Sequence, residues 1–179
     1  EIGIVKKQDI SENQVNIAIL GIGSNLGNRK KNIEKTKYLL QLNNIILLKC
    51  SSYYETPSWP NNKFPKYLNI IIEAKTLYSP IELFNKIKLI ETKLGRIKSI
   101  KNYPRICDID IIDFNNKKIE IKLNNTEIKI PHPRAHLRNF VLIPLYEISK
   151  TWKHPVFNKK ISFLLNKTKT MALRAIKFI

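Results

Sequence analysis

Pro104-Arg105-Ile106-Cys107-Asp108-Ile109-Asp110-Ile111-Ile112-Asp113 joins a strand pattern suited to a core to two carboxylates that a core rejects. In an extended chain the side chains alternate faces, so Ile109 and Ile111 share one face while Asp108 and Asp110 share the other, about 6 to 7 Å apart. Like charges so placed repel. Either a cation lies between them, or one is pushed to a raised pKa, or both need water. A paired Asp-x-Asp on a buried strand therefore points to a divalent cation, and oxygen-only ligands favour magnesium or manganese over zinc. A lone Asp-x-Asp is more often an edge strand with its polar face in solvent, so the rest of the chain has to decide.

The 179 residues suffice for one well-buried domain and are short for two. No apolar run reaches the roughly 18 residues needed to cross a bilayer, and no signal-peptide layout opens the chain, so the cytoplasm is the expected compartment. Cys50 and Cys107 lie beside apolar residues, with no Cys-x-x-Cys pair, and read as reduced core thiols. A net charge of +18 ordinarily suggests a nucleic-acid partner. Here only six of the 32 basic residues are arginine, and lysine is spread over nearly every segment with abundant Ile and Asn, the mixture an A/T-biased coding sequence gives. The few arginines carry more information. Arg96 and Arg105 flank the opening motif, and Arg134 and Arg138 lie in the dense segment 131–140.

Residues 1–14 are polar and aperiodic and read as a tail, leaving 15–179 as a single domain. Residues 15–23, apolar nearly throughout, predict a central strand. A loop, Gly23-Ser24-Asn25-Leu26-Gly27-Asn28, then leads to a helix over 29–42 with Ile33 and Leu40 on one face. Residues 45–54 and 66–72 read as the second and third strands, joined by a long proline-punctuated loop, a length that is often functional. Ser79, Pro80 and Glu82 form a capping-box signature, Leu83, Ile87, Ile90 and Leu94 form one apolar stripe, and Gly95 suits a left-handed stop. After a basic loop over 96–103 comes the opening strand. Strand, helix, strand, strand, helix, strand is the order of an α+β, ferredoxin-like βαββαβ core, an antiparallel sheet with helices packed on it. Beyond it, Asn115-Asn116 and Asn124-Asn125 predict turns around a short strand, with 127–130 pairing back. Residues 134–148 read as helix interrupted at Pro144. Residues 151–179 form an extension with enough Ile, Leu and Phe to dock on the body.

Three constellations remain open on these grounds alone. Gly21-x-Gly23-Ser24-Asn25-Leu26-Gly27 has three residues where a dinucleotide fingerprint needs two, and lacks the Gly-Lys-Ser/Thr of a P-loop, so a strand-to-helix turn with close backbone packing is favoured. His132 and His136 stand at helical spacing for zinc, but Pro133 disfavours helix between them and no third N or S ligand is evident. A phosphate contact suits His132 better, with Arg134 and Arg138 close in sequence. Tyr67 and Asn69 share one strand face, a flat ring beside an amide, suited either to holding a heterocycle or to filling a half-buried strand; Phe140 is equally ambiguous alone.

Taken together, Gly23-Ser24-Asn25-Leu26-Gly27, Tyr54-x-Thr56-Pro57, Tyr67-Leu68-Asn69, Glu91-x-x-x-Gly95-Arg96, Pro104-Arg105-x-x-Asp108-Ile109-Asp110 and Pro131-His132-Pro133-Arg134 to Arg138-Asn139-Phe140 resemble, in their order, the 6-hydroxymethyl-7,8-dihydropterin pyrophosphokinase family. The resemblance runs from about Ile17 to Ile148 and implies transfer of pyrophosphate from ATP to hydroxymethyldihydropterin, with release of AMP, in folate biosynthesis. It also implies site residues. Asp108 and Asp110 would hold two Mg²⁺ ions, and Arg96 and Arg105 would meet the triphosphate. Glu91, His132 and Arg138 would border or bind ATP. Tyr67 and Phe140 would sandwich the pterin, with Asn25, Asn69 and backbone groups of Thr56, Pro57 and Ser58 at its polar edge. Tyr103 departs from the small residue many members have there, and the 96–103 loop lacks the tryptophan some members carry; Lys98 and Lys101 stand in it but cannot make the bidentate contact of arginine. Other folate-pathway enzymes are the expected protein partners. Two other readings stay in view, an RNA-binding module of the same element order and an inactive pterin or nucleotide binder. The third strand lacks the alternating aromatics and the Lys/Arg-Gly pair of an RNA recognition motif, which makes nucleic acid the weaker choice.

Overall fold

The computed structural model describes residues 14–59, 61–96, 103–123, 126–167 and 176–179. Most of the proposed tail, Lys98 and Lys101 of the basic loop, and the Asn124-Asn125 turn lie outside the described residues. The central strand β1 (Asn16–Ser24) is followed by α1 (Arg29–Leu42), then by β2 (Ile46–Cys50), β3 (Tyr54–Thr56), β4 (Tyr67–Thr76), α2 (Pro80–Lys93) and β5 (Asp108–Phe114). These strands form one antiparallel sheet in the order β5, β1, β4, with β2 and β3 both paired to the far edge of β4. A separate hairpin, β6 (Ile119–Leu123) with β7 (Thr126–Ile130), follows β5. Then come α3 (Asn139–Ile148), α4 (Ile161–Lys167) and β8 (Lys177–Phe178), the last pairing with β3.

The sheet is covered on both faces, which is why β1 reads as a nearly continuous apolar run. Leu20 and Ile22 of β1, Ile70 and Ile72 of β4 and Ile109 and Ile111 of β5 pack with Ile33 and Leu40 of α1 and with Leu83, Ile87 and Ile90 of α2. On the opposite face Ile19, Ile71 and Ile112 meet Val141, Leu142 and Leu145 of α3 and Ile161 and Leu164 of α4. Full burial of each such aliphatic side chain contributes about 1.5 to 3 kcal/mol. The capping box forms as the sequence predicts: Ser79 N donates to Glu82 Oε2 at 2.8 Å and Glu82 N to Ser79 Oγ at 3.4 Å. Gly95 takes φ +90° past the end of α2. Asn115 and Asn116 have positive φ, as a tight turn demands. The extension docks through Trp152, Ile161 and Leu164, all buried.

Several expectations change in detail. The predicted second strand, 45–54, is broken at residues 51–53 into β2 and β3, where the Ser51 hydroxyl accepts a bond from Ile71 N at 2.9 Å in place of a regular ladder. The third strand runs on to Thr76. Pro144 does not interrupt α3; a proline leaves only one carbonyl a turn earlier without its partner, and burial of Pro144 with Val141 and Leu145 holds the helix together. Cys107 is a buried thiol, as expected, but Cys50 is exposed, because β2 is an edge strand whose residues 46, 48 and 50 face outward.

The opening stretch also differs from a plain alternation. It becomes strand only at Asp108, after Pro104 and Arg105 have passed as coil. A register shift opposite Ile19 and Leu20 places one extra residue in β5. Two successive residues of a bulge can face the same way. Ile112 packs against the α3 layer and Asp113 turns to the same side, where its Oδ2 accepts from Trp152 Nε1 at 2.7 Å. Burial pushes the Asp113 carboxyl above its ordinary range, against the pull of that bond and of Asn116 N.

Candidate active site

β1, β4 and β5 end side by side, and the face they turn toward α3 forms the floor of an open cleft of about 970 Å³. One end of the cleft is charged. Asp108 and Asp110 project into it from β5, as alternation requires, with side chains about a third exposed. Asp108 Oδ1 accepts from Arg96 at 2.8 Å and Oδ2 from Arg105 at 3.2 Å. Asp110 Oδ2 accepts from Arg138 at 3.0 Å and lies 3.9 Å from His132 Nε2. Behind them Glu91, with a side chain only 1% exposed, receives Ile109 N at 2.8 Å, Lys88 at 2.8 Å and the Arg96 guanidinium. A carboxylate this buried needs such partners. Here they link α2, the start of the basic loop and β5. Burial lowers the His132 pKa; Asp110 pulls against it, while Arg138 and Arg134 reinforce it.

The other end is flat and neutral. Tyr67 and Asn69 of β4 line it with Thr56, Pro57 and Ser58, and Phe140 stands at the start of α3. Asn69 Nδ2 donates to Thr56 Oγ1 at 2.9 Å and to Tyr54 O at 3.3 Å, which fixes the amide. A Cβ on Gly23 would meet Asn69 Oδ1 at 3.1 Å and Tyr67 Cδ1 at 3.4 Å. Glycine at that position is what lets the ring and amide lie against β1. The Arg138 guanidinium rests 5.4 Å from the Phe140 ring centroid, joining the two ends.

A family model for 7,8-dihydro-6-hydroxymethylpterin-pyrophosphokinase (HPPK) matches residues 19–150. The chain belongs to the HPPK family. It is 37% identical over 146 residues to the 2-amino-4-hydroxy-6-hydroxymethyldihydropteridine pyrophosphokinase of Aquifex aeolicus, covering 79% of this chain and 86% of that one. The enzyme of the same name from Bacillus subtilis is 38% identical over 134 residues, 74% of this chain and 78% of that protein. The folic acid synthesis protein fol1 of Pneumocystis carinii is 37% identical over 159 residues, 88% of this chain but 21% of the relative. Among solved structures, wild-type Plasmodium falciparum HPPK-DHPS with pterin and p-hydroxybenzoate superposes with a TM-score of 0.70 at 21% identity, over 88% of this chain and 44% of that one. The architecture is thus a mixed helix and antiparallel-sheet fold like that of HPPK domains.

Within this HPPK chain the cleft gathers Arg96, Arg105, Asp108, Asp110, His132, Arg138, Thr56, Pro57, Tyr67, Asn69 and Phe140. Glu91 sits behind the charged end. Asn25 is 2% exposed, outside the cleft lining, with its side chain bonded to Ser58, Pro65 and Arg105. The glycine loop is a strand-to-helix turn: Asn28 caps α1 by accepting from Lys31 N at 3.0 Å, and Asn32 Nδ2 donates to Leu26 O at 2.8 Å. His136 parts from His132, its ring 5.7 Å from His154 and 4.8 Å from Phe157. Among the described residues no three His, Cys, Asp or Glu side chains gather around a common point. The protein therefore offers a divalent ion two carboxylates, a donor set that suits Mg²⁺ completed by phosphate oxygens and water. Sequence reasoning gave Gly23 no role at the flat end and took Ser58 only for its backbone, whereas its hydroxyl donates to Pro65 O at 2.6 Å. Their proximity to Asn69 and Asn25 arises only when β1, β3 and β4 pair. Tyr67 and Asn69 lie in a cleft walled by α3, whereas an open sheet face is what the RNA-binding alternative requires.

Proposed function

We infer that the protein transfers pyrophosphate from ATP to 6-hydroxymethyl-7,8-dihydropterin with release of AMP, a step of folate biosynthesis, in a Mg²⁺-dependent reaction. The observation that carries this reading is one cleft with two carboxylates paired to Arg96, Arg105 and Arg138 at one end and a ring, an amide and Thr56 at the other, in a chain of the HPPK family. The strand order β5, β1, β4 and then β2, with α1 and α2 on one face, supports a ferredoxin-like core, and we take residues 15–179 to act as one domain.

Asp108 and Asp110 would hold the Mg²⁺ ions, two by the family resemblance, which would supply neutralisation of the phosphate charge. Arg96 and Arg105, whose guanidiniums bond Asp108, would meet the triphosphate. Arg138 and His132, beside Asp110, would bind ATP. Tyr67 and Phe140 hold the pterin ring between them, and Asn69, Thr56 and Pro57 present polar groups to its edge. The substrate hydroxyl attacks the β-phosphorus in line, so placement and charge neutralisation do most of the work. Two free thiols fit a reducing compartment, and we place the reaction in the cytoplasm. The names of the fol1 and HPPK-DHPS relatives suggest other folate enzymes as partners.

Incubation with ATP, Mg²⁺ and hydroxymethyldihydropterin is expected to release AMP, not ADP, in proportion to the pterin consumed. Pterin binding without AMP formation would instead identify an inactive binder.

A further inference from the structure

We propose that Asn25 is a positioning residue that joins the wall of the pterin end to Arg105, so that the two substrate sites are set together. The inference rests on the pyrophosphokinase reading and goes beyond it, because Asn25 then acts on both substrates without touching either.

Asn25 Oδ1 accepts from Arg105 N at 2.8 Å, and Asn25 N donates to Arg105 O at 3.2 Å. Its Nδ2 donates to Ser58 Oγ and to Pro65 O, each at 3.2 Å. Flipping the amide would set two donors against each other at Arg105 and lose the donor to Pro65 O, so the bonds fix its orientation. Ser58 Oγ donates to Pro65 O at 2.6 Å, closing the neck of loop 58–65 immediately after Thr56 and Pro57. One buried amide thus holds that neck on one side and the backbone of a triphosphate arginine on the other. A second link joins the same two segments at the surface. The Phe64 ring lies 5.5 Å from the ring of Tyr103, whose carbonyl accepts from Arg105 Nε at 3.3 Å. A shift of Arg105 toward phosphate is therefore transmitted to the pterin wall, and binding linkage requires the converse.

Asn25→Asp keeps an acceptor for Arg105 N and loses the donors to Ser58 and Pro65. The test is calorimetric binding of hydroxymethyldihydropterin with and without a saturating non-hydrolysable ATP analogue and Mg²⁺. In the unmodified protein the analogue is expected to tighten pterin binding by about tenfold or more, within the usual range of site coupling. In folded Asn25→Asp the factor is expected to fall below about threefold, with affinity for the analogue alone little changed. Phe64→Ala, at the surface link, is expected to reduce the factor by about two- to threefold and decides the matter if Asn25→Asp does not fold. A factor near one in the unmodified protein, or one unchanged in the variants that fold, overturns the coupling while leaving the enzyme reading intact. Absence of pterin binding in the unmodified protein under both conditions overturns the enzyme reading itself.

Discussion

The two ends of the cleft are organised by opposite means. At the charged end the carboxylates are paired with guanidiniums that line the same cleft: Asp108 with Arg96 and Arg105, Asp110 with Arg138. At the flat end the polar side chain is held by the backbone of the fold, as Asn69 is by Tyr54 O. The difference follows from what each end must do. Recognition of a neutral heterocycle gains from groups fixed in advance, since no binding energy is then spent ordering them. Carboxylates and guanidiniums that, on the proposed function, meet a cation and a polyanion need each other in the meantime, because a charge in a half-buried cleft is costly alone. On the proposed function, substrate binding at the charged end exchanges these partners for cation and phosphate.

That contrast is open to test, beginning with its largest consequence. Asp110→Ala is expected to lower kcat by at least about 10²-fold, the scale of removing one preorganised electrostatic stabiliser, with the pterin affinity nearly kept; unchanged turnover in a steady-state assay would remove Asp110 from the metal site. Gly23→Ala tests the flat end. Its added Cβ lies 3.1 Å from Asn69 Oδ1, and the pterin KM is expected to rise about tenfold with kcat less affected, the cost of displacing a fixed group by a fraction of an ångström. A change confined to the ATP KM would mean that the two ends are not separable in this way.

Glu91→Gln should act more mildly. It keeps an acceptor for the buried Ile109 N and removes the charge that steadies Arg96 and pairs with Lys88, so a rate loss of about three- to tenfold is expected, measured with ATP as the varied substrate. The smallest effect on activity lies away from the cleft. Burial, with help from His136, lowers the His154 pKa to about 4 from an ordinary 6.5, while its Nδ1 accepts from Val156 N at 3.2 Å. The neutral ring is favoured in the folded state. Its contribution to stability is complete above pH 6.5 and is lost progressively as pH falls toward 4, because the unfolded chain takes up the proton first. Thermal melts between pH 7 and pH 4 are expected to show this decline, and His154→Phe to flatten it; an equal decline in the variant would assign it elsewhere.

Much of the fold was legible in the chain, for reasons that are local. Ser79, Glu82 and Gly95 specify the ends of α2 because capping and a left-handed stop involve only neighbours in sequence. The stripe from Leu83 to Leu94 specifies its buried face in the same way. Alternation placed Asp108 with Asp110 and Tyr67 with Asn69 on shared faces, and both pairs line the cleft. What alternation could not give was Asp113. The bulge that turns it toward Trp152 depends on how β5 pairs with β1, and a single sequence carries no sign of the inserted residue. Cys50 failed for a related reason, since which strand becomes an edge is decided by pairing and not by composition.

The sequence by itself determined the chemistry available to this protein: two carboxylates two residues apart, arginines on either side, a ring and an amide on one strand face, and the order in which these arrive. Residue type and spacing along a strand are properties of the chain alone. Only the tertiary structure decided which groups meet. Glu91 and Ile109 stand 18 residues apart and share a hydrogen bond. Asn25 reaches Arg105 across 80 residues, and Arg138 reaches Asp110 across 28. Contacts at such separations are fixed by the packing of α2, α3 and the loops against one sheet, where apolar burial sets the positions and the polar groups accept the partners they are given.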